Sequence, residues 1–214
     1  MDIPEINEEN IELLEDRKFL KLYAYHYAGG DYVVASRHDR EGLAVLHQDS
    51  DFLDAVSCIV IFTDEKGEGR LYLQKEFRYP LGRFVLSPPA GLIDPEDGKN
   101  ADAVLTAAKR EIFEETGLEL TGNDRVFTVL PGAFSSAGMT DESNAFVCAV
   151  TAKADLSGMN QEGGVGGECF DGFRLYTEEE AHALLKEGRD EDGSICPAQT
   201  WLAVLYFISG LWKE

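Results

Sequence analysis

The sequence predicts an α+β fold: an α/β/α sandwich on a mixed β-sheet, preceded by a small antiparallel sheet. Three observations carry this. Strand-like runs outnumber helical patterns, and the two mix without regular βαβ alternation. The first runs are short and close together, punctuated by Gly29-Gly30 and by the Asp39–Gly42 turn, as in a meander. Hydrophobic residues make up 44% and charged residues 28% of 214 positions, enough apolar material to bury a core.

Taken in order, 19–25 (FLKLYAY), 31–36 (DYVVAS) and 43–46 (LAVL) read as the strands of the small sheet. The larger sheet begins with 56–62 (VSCIVIF), 70–78 (RLYLQKEFR) and 84–87 (FVLS), the first two joined by an acidic, Gly-containing turn. A helix is predicted over 101–116. Strands at 125–134 and 143–152 then enclose the loop SSAGMTDE (135–142). Residues 160–168 (NQEGGVGGE) are Gly-rich and read as a mobile loop before a last strand at 172–177. Thr177 with Glu180 forms a capping box for a helix over EEEAHALLKEG, and Pro197 suits the first turn of the closing helix.

Forty Asp and Glu against nineteen Lys and Arg leave a formal charge of -21. Such a surface repels nucleic-acid phosphates and anionic membranes, so partners of either kind are not expected. A small anionic ligand is still possible where a cation or an Arg cluster reverses the local field. No apolar run is long enough to span a bilayer, and the acidic start does not resemble a signal peptide. Cys58, Cys148, Cys169 and Cys196 are scattered, without a CxxC pair, and read as reduced core thiols of a cytoplasmic protein.

The densest chemistry lies in AAKREIFEETGL (107–118). At helical pitch Glu115 lies about 40° to one side of Glu111 and Glu114 about 60° to the other, a sector of roughly 100°. Ala101, Leu105, Ala108 and Ile112 form an adjoining apolar stripe, and Gly117 is placed to stop the helix. A solvated acidic face has the same composition. Against it, acids at these spacings repel one another, and the helix C-terminus disfavours them further. A hard divalent cation removes that repulsion, since Mg²⁺ prefers oxygen ligands.

The run Arg110-Glu111-Ile112-Phe113-Glu114-Glu115-Thr116-Gly117-Leu118 resembles, without a mismatch, the core of the Nudix box. PPAGLID (88–94), KEFRYPLGRFVLS (75–87) and SAGMTDE (136–142) are similar to flanking segments of the ADP-ribose pyrophosphatase subfamily, and FLKLYAYHY and DYVVASRHDREG to its N-terminal strands. The resemblance covers nearly the whole chain. It implies a Nudix α/β/α sandwich over 49–214 and an N-terminal dimerisation region over 1–48. One departure stands out. The full box has Gly fourteen and Glu eight residues before the Arg, where this chain has Glu96 and Asp102. Gly91 takes the glycine's place, so the loop after it is about five residues longer than the pattern.

The resemblance further implies that Glu111 and Glu115 hold Mg²⁺ (or Mn²⁺) directly, with Glu114 close behind and the Ala90 carbonyl completing the ligands. Arg110 has a supporting role, holding a carboxylate in place. The general base is expected from the Gly-rich loop. Glu168, anchored beside the last strand, is favoured over Glu162; as solvated loop acids neither would act. For substrate, Arg78 pairs with a phosphate, and Arg37 reaches a phosphate or the adenine of a partner subunit's ligand. Tyr32, or else Tyr27, stacks on the base unless it is a core aromatic. Met139, Thr140, Asp141 and Glu142 contact the terminal ribose. The implied activity is Mg²⁺-dependent hydrolysis of ADP-ribose to AMP and ribose 5-phosphate by a homodimer. The competing readings are hydrolysis of another nucleoside diphosphate derivative, a non-catalytic sensor of such a ligand, and a purely structural acidic protein.

Overall fold

The computed structural model describes residues 3–47, 53–98, 101–152, 156–164 and 167–214. The expected boundary at 48/49 falls outside them, as do Lys99 and Asn100 of the long loop and Gly166 of the Gly-rich segment. The chain divides into two compact units, Met1–Ala55 with Gly132–Asn144, and Val56–Pro131 with Ala145–Glu214.

In the first unit β1 (Ile11–Arg17), β2 (Leu20–Tyr27) and β3 (Gly30–Ser36) form an antiparallel sheet in that order. Two of the three expected strands are β2 and β3. The third is not 43–46, which coils into a single 3₁₀ turn at Ala44–Leu46. The missing strand is IELLEDR, whose only buried residue is Ile11. An edge strand this solvated carries no period-2 apolar signal, which hides it in the sequence. LAVL is apolar for another reason. Leu43 is fully buried and closes a small core with Ile11, Tyr23, Tyr25 and Val34.

Segment 132–144 belongs to this unit and is stitched to it along its length. The Ala35 N–H donates to the Met139 carbonyl at 2.9 Å and the Tyr32 hydroxyl to that of Gly138 at 2.8 Å. The Ala44 N–H donates to Asp141 Oδ2 at 3.2 Å, and the Ser143 N–H to Asp54 Oδ2 at 2.8 Å.

The second unit carries a mixed seven-stranded sheet. Its order is β10 (Phe170–Tyr176), β5 (Gly69–Arg78), β4 (Ala55–Thr63), β9 (Ser143–Thr151), β8 (Arg125–Phe134); β6 (Arg83–Ser87) pairs with β5 and β7 (Ala90–Leu92) with β4. Of these only β7 lay outside the expected strands. β4 and β9 are buried almost throughout, the mark of a sheet covered on both faces. Three helices accompany it: α1 (Ala101–Thr116), α2 (Glu178–Glu187) and α3 (Ala198–Ser209). The capping box of α2 forms as expected, with the Glu180 N–H on Thr177 Oγ1 and the Thr177 N–H on Glu180 Oε2. Pro197 is the N-cap of α3 rather than within its first turn, and Thr200 Oγ1 ties that helix to the Leu86 carbonyl at 2.6 Å. Among the described residues no helix is long and apolar enough to cross a membrane. All four cysteines are free. Cys58 and Cys148 are core residues, but Cys169 is exposed and Cys196 half-buried, so the core reading fails for Cys169.

Candidate active site

Helix α1 presents its acids differently from the expectation. Its buried stripe runs through Ala103 and Val104, Ala107 and Ala108, Glu111 and Ile112, then Glu115 and Thr116, whereas Leu105 is half-buried. Two of the three acids thus lie inside the buried face, not beside it: Glu111 is 7% exposed and Glu115 2%. Gly117, with φ 66°, ends the helix through its N–H on the Phe113 carbonyl at 2.8 Å, and Leu118 is buried beyond it.

The backbone of β7 comes up against these acids because residue 91 is glycine. A Cβ there would lie 2.1 Å from Glu111 Oε1. The neighbouring Ala90 N–H donates to Glu115 Oε2 at 3.3 Å. On β5, Gln74 is fully buried and donates through Nε2 to the same oxygen at 2.5 Å. Burial, and after it the charges of Glu76, Glu168 and Glu111, push the Glu115 carboxyl up to about 9 against the pull of Gln74. Burial likewise raises Glu111 and Glu76, opposed by Arg110 and Arg78 respectively.

Arg110 is the cross-brace. Its Nη1 donates to Glu111 Oε1 at 2.6 Å and Glu114 Oε2 at 3.2 Å. Its other face donates to both oxygens of Asp97, Nε to Oδ1 at 3.1 Å and Nη2 to Oδ2 at 2.8 Å, and to the Leu92 carbonyl at 2.9 Å. Asp97 sits in the lengthened loop, where a 3₁₀ turn (Pro95–Asp97) is closed by a capping box with Asp94. The extra residues therefore supply the brace with a buried acid. Asp102, expected to stand in for the box glutamate, is exposed and is not among the acids paired with Arg110.

The Gly-rich segment docks on the C-terminal end of α1. The Asn160 N–H donates to the Thr116 carbonyl at 3.0 Å, and a Cβ on Gly163 would lie 2.2 Å from the Glu114 carbonyl oxygen. Glu168 is bracketed by two bonds to β5 and its end, Tyr79 hydroxyl to the Gly167 carbonyl at 3.1 Å and Phe77 N–H to the Cys169 carbonyl at 2.8 Å. Its charge acts on Glu76, Glu111 and Glu115. The Glu162 backbone N–H donates to Asn160 Oδ1 at 3.1 Å.

Among the described residues no group of three or more His, Cys, Asp or Glu side chains is placed to hold a metal ion. The donor set nevertheless fits Mg²⁺, which binds through one or two carboxylates and completes its shell with water and substrate phosphates. Buried acids in excess of nearby Arg charge are a site that a hard cation would relieve.

The remaining expected residues sort between the units. Arg78, in the second, is half-exposed and pairs with Glu76 Oε2 at 2.8 Å. In the first unit Arg37 Nε pairs with Glu142 Oε2 at 2.5 Å, and Met139 is exposed. Tyr32 and Tyr27 are both exposed, so neither is a core aromatic. Tyr32, Thr140 and Asp141, with Tyr25, Val34, Val45, Phe134 and Ala137, line a pocket of about 290 Å³. Sequence reading missed Gln74, Glu76 and Asp97. The first two carried a signal, polar side chains in register with Tyr72 on the inward face of an apolar strand.

A model of the NUDIX domain matches residues 52–199. The chain belongs to the Nudix family. This Nudix chain is 34% identical over 106 residues to the ADP-ribose pyrophosphatase of Saccharomyces cerevisiae, covering 49% of the chain and 41% of that protein. It is 44% identical over 64 residues to the ADP-sugar pyrophosphatase of Mus musculus, covering 30% of the chain and 27% of that protein. It therefore spans less than half the length of each of these two relatives. A crystal structure of an ADP compounds hydrolase shares its fold, with a TM-score of 0.59 at 15% identity over 100% of this chain and 98% of that one.

Proposed function

We propose that this chain hydrolyses the diphosphate of ADP-ribose, or of a closely related nucleoside diphosphate sugar, to AMP and ribose 5-phosphate with Mg²⁺; Mn²⁺ would substitute. The observation that carries the reading is the convergence of Glu111, Glu114 and Glu115 on one end of α1, cross-braced by Arg110 and closed by the β7 backbone. The printed names of the yeast and mouse relatives supply the substrate class.

Glu111 and Glu115, with Glu114 behind them and the Ala90 carbonyl beside them, would hold the cation. When bound, Mg²⁺ neutralises diphosphate charge and makes coordinated water more acidic. The chain's own groups do the rest. Arg110 fixes the direction of two carboxylates. Arg78 exchanges Glu76 for a phosphate oxygen, using its planar fork. Glu168, held between two anchors, accepts a proton from the attacking water as the water oxygen bonds to phosphorus. The P–O bond of the diphosphate bridge then breaks, and one phosphate departs on each product. The pocket lined by Tyr32, Thr140 and Asp141 offers an aromatic face and polar edges to a purine or ribose; Arg37 would reach a phosphate or the adenine, and Met139 and Glu142 the ribose.

A homodimer is part of the proposal. Leu20, Leu22 and Val33 share the face of the small sheet opposite Tyr23 and Tyr25 and are all exposed, an apolar surface that a second copy would cover. The free thiols fit the reducing cytoplasm.

The test is AMP release from ADP-ribose with Mg²⁺. Wild type is expected to turn over and Glu115→Gln to be inactive while still folded. Tight ADP-ribose binding without AMP release would refute the hydrolase reading.

A further inference from the structure

We infer that Gln74 is a positioning residue through which the Gly-rich loop sets the orientation of Glu115. The inference rests on the metal-dependent hydrolase reading above and adds a control on its ligand set. Gln74 is fully buried in the middle of β5, where a polar side chain is costly unless its amide is satisfied. Its Nε2 donates to Glu115 Oε2 at 2.5 Å. Its Oε1 accepts from the Tyr72 hydroxyl at 3.1 Å and from Gln161 Nε2 at 3.2 Å. With a cation bound Glu115 is ionised and only accepts, so the amide nitrogen faces it and the amide oxygen faces the Tyr72 and Gln161 donors.

The two bonds found on the Glu115 carboxylate, from Gln74 and from the Ala90 N–H, both land on Oε2. Among the described residues no further bond is found on Oε1, the oxygen that would face a bound cation. The far end of the relay, Gln161, lies between the two points where the loop is docked on α1, Asn160 on the Thr116 carbonyl and Gly163 against that of Glu114. Tyr72 holds the Gln74 amide from the other side and is itself stacked on Phe173 of β10 at 5.0 Å. Unseating the loop withdraws one of the two donors that aim the Gln74 oxygen. The amide can then turn, and Glu115 loses its shortest bond.

The experiment measures Mn²⁺ binding by the electron paramagnetic resonance of the free ion, for wild type, Glu115→Gln, Gln74→Met, Gln161→Ala and the Gln74→Met/Gln161→Ala pair. Gln74→Met is expected to weaken Mn²⁺ about 10-fold, the effect of losing an outer partner of a metal ligand. Gln161→Ala, on a partly exposed loop outside the core, is expected to weaken it by a smaller factor. The double variant should match Gln74→Met alone, because both act through one chain. The Gln74 side-chain amide should exchange its hydrogens slowly with solvent in wild type and faster in Gln161→Ala. Wild type that binds Mn²⁺ and loses it in Glu115→Gln, alongside Gln161→Ala with unchanged affinity and unchanged amide exchange, overturns the relay and leaves the hydrolase reading standing. Wild type that binds no Mn²⁺ overturns both. If Gln74→Met does not fold, Gln161→Ala decides alone.

Discussion

Replacing Asp97 by alanine removes three bonds at once: two from the Arg110 guanidinium, at 3.1 and 2.8 Å, and one from the Asp94 N–H, at 2.8 Å. Hydrogen bonds to charged groups contribute about 1.5–3 kcal/mol each. The full sum is not expected. The Arg110 side chain is 27% exposed, so water replaces part of what it loses, and Glu111, Glu114 and the Leu92 carbonyl remain as partners. The Asp97 side chain is only 4% exposed, so its own bonds are poorly replaced by water. Together these place Asp97→Ala at about 2–4 kcal/mol of destabilisation, and Asp97→Asn, which keeps the shape, at about 1–2 kcal/mol. Urea denaturation followed by fluorescence measures both as a shift of midpoint at constant slope. A double-mutant cycle of Asp97→Asn with Arg110→Lys should give a coupling of at least about 0.5 kcal/mol. A cost for Asp97→Ala within about 0.5 kcal/mol, the range of ordinary surface changes, or a coupling of zero, would refute the view that the long loop braces Arg110.

Gly91→Ala should leave the protein folded yet lower both turnover and Mn²⁺ affinity, because a Cβ 2.1 Å from Glu111 Oε1 must push that carboxylate aside; unchanged Mn²⁺ binding would show that the close approach is dispensable. His38 and Asp54 give a pH dependence. The bond to Asp54, opposed by partial burial, raises His38 above its ordinary 6.5, with Asp141 adding to the rise and Arg37 opposing it. Burial favours a neutral Asp54, but the bonds from His38 and Ser143 outweigh it and lower the carboxyl below 3.8. A raised imidazole stabilises fully below 6.5, and that contribution is lost as pH climbs through its folded value; the lowered carboxyl stabilises above 3.8 and is lost as pH falls through its folded value. The melting temperature of wild type should thus decline as pH rises above 6.5, and His38→Gln should be lower at pH 6 and flatter above it. Parallel curves for the two proteins would rule out the pair as the cause.

The carboxylate helix was legible because its information is local. Helical pitch alone puts Glu111, Glu114 and Glu115 in one sector, Gly117 stops the helix and Thr177 caps the next one, each within a few residues of chain. The strands of the large sheet were legible for the same reason: burial on both faces makes β4 and β9 continuous apolar runs. Where one face is solvated, as in β1, composition no longer reports the strand, and an apolar tetrapeptide such as 43–46 plugs a core without being one. Local pattern also put the acids at the edge of the apolar stripe, whereas packing buried two of them, since which arc of a helix is covered depends on what lies against it.

The sequence by itself determined that three acids share one helical turn beside a glycine and an arginine, because spacing along a helix is a property of the chain alone. Only the tertiary structure decided what surrounds them. Gln74 comes from a strand about forty residues away, Asp97 from a loop whose length counted as a departure, and Gln161 from a segment legible only as glycine-rich. Hydrogen bonds between residues far apart in sequence leave no periodicity to read; they exist only once the backbone has brought donor and acceptor within about 3 Å of each other.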